Sequence, residues 1–410
     1  MRSLRLGAPT ASLLTLLLLS SCSDDGGGVD GGTVLSECDL ASAQGHLDAA
    51  GPGDTVVLPG PCDLQGSLRI PGGVILAGSG TSETSITATD TVLALEPGTE
   101  AAPTTVTQLR IVSNGPAGLV TEGSGDISLD GLEVESSIGI GIGLDGVTAS
   151  ITNLVLQGPV TDANAAEVSD LLGTSAEPWT ETGTHGLVAL RSSVTLNELR
   201  VRGFALSGMT FAEGDQQMSS TRVEATLTNG IQFYGADAQV SDVVVESIYK
   251  GNQNTVDVSS VWADGASVLA TNKLQIDQGE GMGLLETTST GTHTDLSISN
   301  QARGGYWIIQ AAGATTLTGS SSSISDNAFA GISIIDSDNV TITDASIANT
   351  SAVEDFVDDE GATSTLGDGF HIVASQTGLL LKDLTVTGNE RVGILIDLDG
   401  GTYDPAAVSN

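Results

Sequence analysis

Apolar and polar positions along this chain alternate in short runs, and the runs return at a fixed interval. Gly186-Leu-Val-Ala-Leu is followed 22 residues later by Gly208-Met-Thr-Phe-Ala, and after another 22 by Gly230-Ile-Gln-Phe-Tyr. Each copy continues through a polar turn into a second and a third apolar stretch, which in the third copy are Ala238-Gln-Val-Ser and Val243-Val-Val-Glu. The alternation, as at Ile231 and Phe233, and the β-branched residues that fill the runs specify strands, not helix. Three short strands in 22 residues, repeated, predict a solenoid in which each coil is one structural unit.

An Asn or Asp recurs between the second and third strands: Asp130, Asn153, Asn197, Asp242, Asn272, Asp344 and Asp383. A tight bend there needs a residue near the left-handed region, which Asn and Asp tolerate better than other non-glycine residues. The pattern resembles the right-handed parallel β-helix of the pectate lyase-like superfamily, in which such a bend carries a stacked Asn ladder. The resemblance runs over roughly residues 39–410. It implies an all-β, single-stranded solenoid of about a dozen coils, some 60 Å long at about 4.8 Å per strand. It leaves function open, because the fold hosts many activities.

First strands are predicted to start at Val74-Ile-Leu and Val92-Leu-Ala-Leu. Later ones start near Gly118, Gly141, Gly186, Gly208, Gly230, Val256, Gly281, Gly305, Gly331, Gly369 and Gly393. Two long spacings mark insertions at about 159–184 and 352–366, and Tyr249-Lys-Gly-Asn-Gln-Asn-Thr is a milder one. All three follow a third strand, so they leave the rod at one edge. Loops of this length on a repetitive scaffold tend to carry function.

Ahead of the coils, residues 39–50 form an amphipathic stretch that Gly51-Pro-Gly-Asp ends. Its likeness to the N-terminal cap of pectate lyase-like proteins assigns residues 38–66 to a helical cap over the apolar column and 67–410 to the β-helix. Residues 1–21 read as a signal: Arg2 and Arg5, then an apolar run from Ala11 to Leu19 too short to span a bilayer. Leu19-Ser20-Ser21-Cys22 resembles a bacterial lipobox, which implies lipid attachment at Cys22, a Gly-rich acidic tether over 22–37 and an outer-membrane lipoprotein, surface-exposed or periplasmic. No transmembrane helix is expected in the mature chain. Cys38 and Cys62 remain as an even pair in an exported protein, and a disulfide is expected between them.

Charge narrows the partners. Lys+Arg number 13 against 51 Asp+Glu, a formal charge of −38. Nucleic acid and anionic polysaccharide are disfavoured unless a cation intervenes. Aromatics make up 3% of the chain, so each is conspicuous.

Outward-facing positions of the first strands include Gln232, Tyr234, Trp307, Ser333, His371 and Asp397, with Trp262 and Asp257 nearby. Gln232, Tyr234, Asp257, Trp262, Trp307 and His371 are therefore the candidate ligand-binding residues, arranged as a sugar-stacking strip between the two insertions. Asp355, Asp358, Asp359 and Glu360 in the second insertion are candidate calcium ligands, since hard cations select clustered carboxylates; no other cofactor is expected. The catalytic sets of the resembled enzymes are missing. The cations are dispersed, as a lyase base would not be, and Thr184-His185-Gly186 precedes the candidate acids, contrary to the order in polygalacturonase-like hydrolases. His185 and His371 lie about seven coils apart, roughly 34 Å, too far to form one site. The favoured function is a non-catalytic, envelope-anchored protein binding a glycan or other surface component. The alternatives are a polysaccharide lyase or glycoside hydrolase, and a structural rod or adhesin.

Overall fold

The computed structural model describes residues 32–161, 164, 183–248, 259–357, 363–373, 377–397 and 408–409. Strands stack in parallel into two sheets, one of 14 strands and one of 22. The smaller sheet collects the first strand of each coil, from Leu68–Ile70 to Ile394–Asp397, and the larger collects the second and third strands. One member of the smaller sheet, Val353–Val357, joins antiparallel, against Thr363–Val373.

The alternation in sequence becomes two faces of each strand. Leu187, Met209, Ile231, Val261, Leu284, Tyr306, Ile332 and Phe370 stand on successive rungs of one inward column. All are almost fully buried. They face the Val, Ile and Leu of the larger sheet in a single core that runs the length of the rod.

The glycine that opens most first strands has a steric cause. A Cβ built on Gly208 would lie 2.7 Å from the Gly230 carbonyl oxygen of the next coil and 2.6 Å from Val223 Cγ1 across the core. The same holds at Gly305, 2.5 Å from the Gly331 oxygen and 2.5 Å from Ile324 Cγ2. Gly118, Gly141, Gly186, Gly331 and Gly369 repeat the pattern, each against the oxygen of the next glycine. The column exists because backbones there approach more closely than a methyl group permits. It lapses at Ser260 and resumes at Gly283, not at Gly281.

The bends are left-handed as expected, with a shift in some coils. Asn153, Asp242, Asp344 and Asp383 have φ between 51° and 55°, whereas Gly131, Glu198 and Lys273 take that conformation in place of Asp130, Asn197 and Asn272. The displaced residues tie coils together. Asp130 Oδ1 accepts from Thr152 Oγ1 at 2.6 Å and Asn153 Nδ2 at 2.8 Å, and these bonds hold its carboxyl below the usual range. Asn197 Oδ1 accepts from Ser219 Oγ at 2.9 Å.

At the N-terminal end the helix spans Leu40–Ala49, with Asp39 accepting from the Ser42 amide at 2.7 Å. Its Ala43 and Leu47 join the main core. Cys38 and Cys62 are disulfide-bonded. Sheet pairing starts ahead of residue 67: Thr55–Val57 pairs with Ile75–Ala77, and Cys62–Gln65 with Thr84–Ala88. Val74-Ile-Leu belongs to this larger sheet, so it is a second strand, not a first; the first strand of that coil is Leu68–Ile70. No helix among the described residues is long and apolar enough to cross a membrane.

Candidate functional site

A groove of about 500 Å³ lies on the larger sheet, along the coils between Thr195 and Thr294. Its floor is one ladder of outward positions: Thr195, Gln217, Gln239, Ala270 and Thr292 pair rung to rung. A second ladder, Ser219, Ser241, Asn272 and Thr294, runs beside it just before the bend. Both follow from the alternation that buries Leu196, Met218 and Val240 and turns the residues on either side outward. The outward side chains of the lining are hydroxyls and carboxamides apart from Ala270, with the edges of Leu196, Met218 and Val240 between them, and none is ionisable or aromatic. Acids border it. Asp215 and Asp237 are in register on one flank, and Glu198, Asp242 and Asp295 stand at the bend on the other. Lys273 Nζ is 3.5 Å from Asp242 Oδ1. Such a surface can donate and accept hydrogen bonds at regular intervals, and its lining offers no group suited to proton transfer or nucleophilic attack.

The aromatic face expected to bind ligand is a different surface. Gln232, Trp262, Trp307, Ser333 and His371 do share one outward ladder, with Leu285 between the two tryptophans. Outward is not exposed, however. Trp307 is 8% accessible, Gln232 9% and Ser333 0%. Met282, Leu285, Trp307, Phe329, Ala330 and Leu366 form a second hydrophobic core outside the column, with Trp262, Ile309, Ile335 and Val353 packed against it. Val353 and Leu366 come from the antiparallel pair in the second insertion, which folds back over the strip. The expectation of an open groove at Trp307 is thus corrected: the insertion covers the ring instead of walling a cleft beside it.

Within this covered face the Trp307 ring stacks on Phe329 at 5.1 Å, and Phe329 meets His371 edge-on at 6.4 Å. Tyr234 is half-buried and edge-on to Trp262 at 5.3 Å. Trp262 Nε1 donates to Thr287 Oγ1 at 3.1 Å, and Gln232 accepts from Thr210 at 3.0 Å. Trp307 Nε1, Ser333 Oγ and His371 Nδ1 have no hydrogen-bond partner among the described residues. Burial lowers the His371 pKa, aided by Arg391 and opposed by Asp368 and Asp397. Buried Asp368 is held bidentate by Arg391 at 2.8 and 2.7 Å. His185, many coils away, has its pKa lowered to about 4 by burial.

Asp257, Asp358, Asp359, Glu360, Cys22 and the Asp355 side chain lie outside the described residues. Among the described residues, no group of three or more His, Cys, Asp or Glu side chains is placed to hold a metal ion.

Sequence reading missed a polar cluster inside the column. Glu286 points inward, between Ala263 and Ile308 on neighbouring rungs. Its carboxylate accepts from the Tyr306 hydroxyl at 2.7 Å and lies 3.0 Å from His293 Nε2, while His293 Nδ1 lies 2.9 Å from Thr271 Oγ1. Glu286 is 1% accessible, and His293 and Tyr306 are 0%. A methyl group on Gly291 would overlap both the carboxylate and His293 Nε2, so the glycine makes the room. Burial, then the charge and hydrogen bond of Glu286, raise the Tyr306 pKa well above its ordinary value and keep it a donor. The parity that places Leu284 inward extends to Glu286, so the signal was present in the sequence.

Residues 229–405 match the family described as "Right handed beta helix region". No curated protein matches the chain. Among solved structures, the A-module of the mannuronan C-5 epimerase AlgE4 from Azotobacter vinelandii is 15% identical with a TM-score of 0.40, covering 91% of this chain and 97% of that one. An alginate lyase from Paenibacillus sp. str. FPU-7 is 13% identical with a TM-score of 0.32, covering 88% and 99%. The Dettilon tailspike protein is 11% identical with a TM-score of 0.37, covering 81% and 64%. The family match and the coil-to-coil parallel pairing identify the chain as a right-handed parallel β-helix.

Proposed function

We propose that this protein is an envelope-anchored β-helix that binds a glycan along the groove between Thr195 and Thr294 and does not cleave it. The observation that carries the reading is the groove's two outward ladders: hydroxyls and carboxamides at every position but Ala270, with no ionisable group in a chain of 51 acids. Hydroxyl-rich polymers are recognised by such arrays, whereas hydrolysis or elimination needs a positioned acid or base. Anchoring rests on the Leu19-Ser20-Ser21-Cys22 pattern, with the tether carrying the rod clear of the bilayer.

The binding test uses the lipid-free Cys22→Ala chain against a panel of neutral and anionic polysaccharides, with and without calcium. Retention by a neutral polymer is expected. Gln217→Leu combined with Gln239→Leu should weaken it about 10-fold or more, two lost hydrogen bonds at roughly 1 kcal/mol each. Both side chains are exposed, so the fold should be unaffected. Release of reducing ends or unsaturated sugars would overturn the non-catalytic reading.

Anchoring is tested separately. The native chain should partition with membranes and the Cys22→Ala chain with the soluble fraction. A native chain released freely would dismiss the lipid attachment.

A further inference from the structure

We infer that the groove reads an uncharged, linear glycan in register with the coils, one sugar residue per rung, over five subsites from Thr195 to Thr292. This rests on the reading that the groove binds a glycan, and it adds what that glycan must look like. Parallel pairing makes each rung a near-copy of the last, displaced along the rod by the strand spacing, about 4.8 Å. A ligand that uses several rungs equally must repeat at a similar interval along its own axis. An extended β-1,4-linked pyranose chain advances by about one strand spacing per residue, and because alternate rings are turned over, equivalent hydroxyls meet the groove at every second rung.

Charge excludes other repeating polymers. Asp215 and Asp237 border one flank, and Glu198 and Asp242 the other, so an anionic chain would be repelled from both sides. The same acids would draw a cationic chain to the rims, but the floor, where the rungs repeat, offers no carboxylate to hold it there. What remains is a neutral polymer held by hydrogen bonds.

The ladder also contains its own control. Thr195, Gln217, Gln239 and Thr292 each present a hydrogen-bonding side chain, and Ala270, between Gln239 and Thr292, does not. That rung is the weak subsite. Ala270 is half-buried at the surface of its strand, and a longer side chain there would extend toward the groove, away from the core.

The experiment measures affinity for oligomers of increasing length, cut from whichever neutral polymer the chain retains, at low and high salt. Affinity should rise about 2–10-fold with each residue that meets a polar rung, the worth of one hydrogen bond. The gain should stop near five residues and change little with salt. Ala270→Gln should tighten binding of the long oligomers by a similar factor and leave the shortest unchanged, a gain that structural damage cannot imitate. Saturation at one or two residues would mean recognition of a chain end and would overturn the register. Tighter binding of an amino-sugar oligomer, lost at high salt, would place recognition on the acidic flanks and overturn it, and tighter binding of a uronate oligomer would equally overturn it. If the chain retains no neutral polymer, the glycan reading fails, and this inference fails with it.

Discussion

The Glu286→Ala protein is expected to lose about 3–5 kcal/mol of stability in the coils around Met282–Thr287, the cost of leaving two buried polar groups without their partner. The carboxylate accepts from the Tyr306 hydroxyl and lies within hydrogen-bond distance of His293, and all three side chains are sealed inside the column. Alanine would leave a phenol hydroxyl and an imidazole nitrogen unpaired where no water reaches, and a void beside Gly291. Hydrogen exchange at the Met282–Thr287 amides reads the effect where it occurs, because a solenoid need not unfold as one unit. Exchange accelerated about 100-fold or more is expected. Replacing the cluster as a whole, with Glu286→Leu, His293→Leu, Tyr306→Phe and Thr271→Val, should restore much of the protection, since apolar substitutes of similar volume leave nothing unpaired. Exchange in Glu286→Ala within about 3-fold of native would show that the cluster is incidental to the fold.

Trp307→Ala should be almost as damaging, at about 3–5 kcal/mol, without weakening glycan binding. The indole stacks on Phe329, is in register with Leu285 and belongs to one buried cluster with Met282 and Leu366, so truncation opens a cavity the surrounding strands cannot close. The groove lies on the other sheet and shares no residue with this cluster. A fall in the urea midpoint with unchanged polysaccharide affinity is the expected pair of results. The reverse pair, lost affinity at constant midpoint, would return the binding site to the aromatic face.

Much of the fold is legible in the sequence because a solenoid repeats its local rules. The 22-residue interval, the parity of Leu187, Met209 and Ile231, the helix near Asp39 and the Cys38–Cys62 pair all have local signatures. What escapes notice depends on neighbours in other coils. Parity says that Trp307 leaves the column; it does not say that the strand Val353–Val357 and Leu366 will cover it. A local hint did exist. Leu284-Leu and Tyr306-Trp-Ile-Ile drop the alternation, and an uninterrupted apolar run marks a strand buried on both faces. The groove gives no such hint. Its threonines and glutamines are ordinary surface residues until the register sets Thr195, Gln217 and Gln239 side by side. The bends show the limit of composition as a guide: Asn197 and Asn272 sit beside the left-handed position, and the bend has passed to Glu198 and Lys273.

The glycine column gives the stack a means of indexing. Most coils from Gly118 onward present one position without a side chain, and the next coil's carbonyl occupies it. If a coil slid by a single residue along its neighbour, a Cβ would meet that oxygen and the opposing core at once. Correct phase is therefore checked locally wherever the column runs, without reference to either end. Turns can lengthen freely, as the insertions do, and a whole coil can be duplicated or excised without disturbing the rest, provided each junction still sets glycine against glycine.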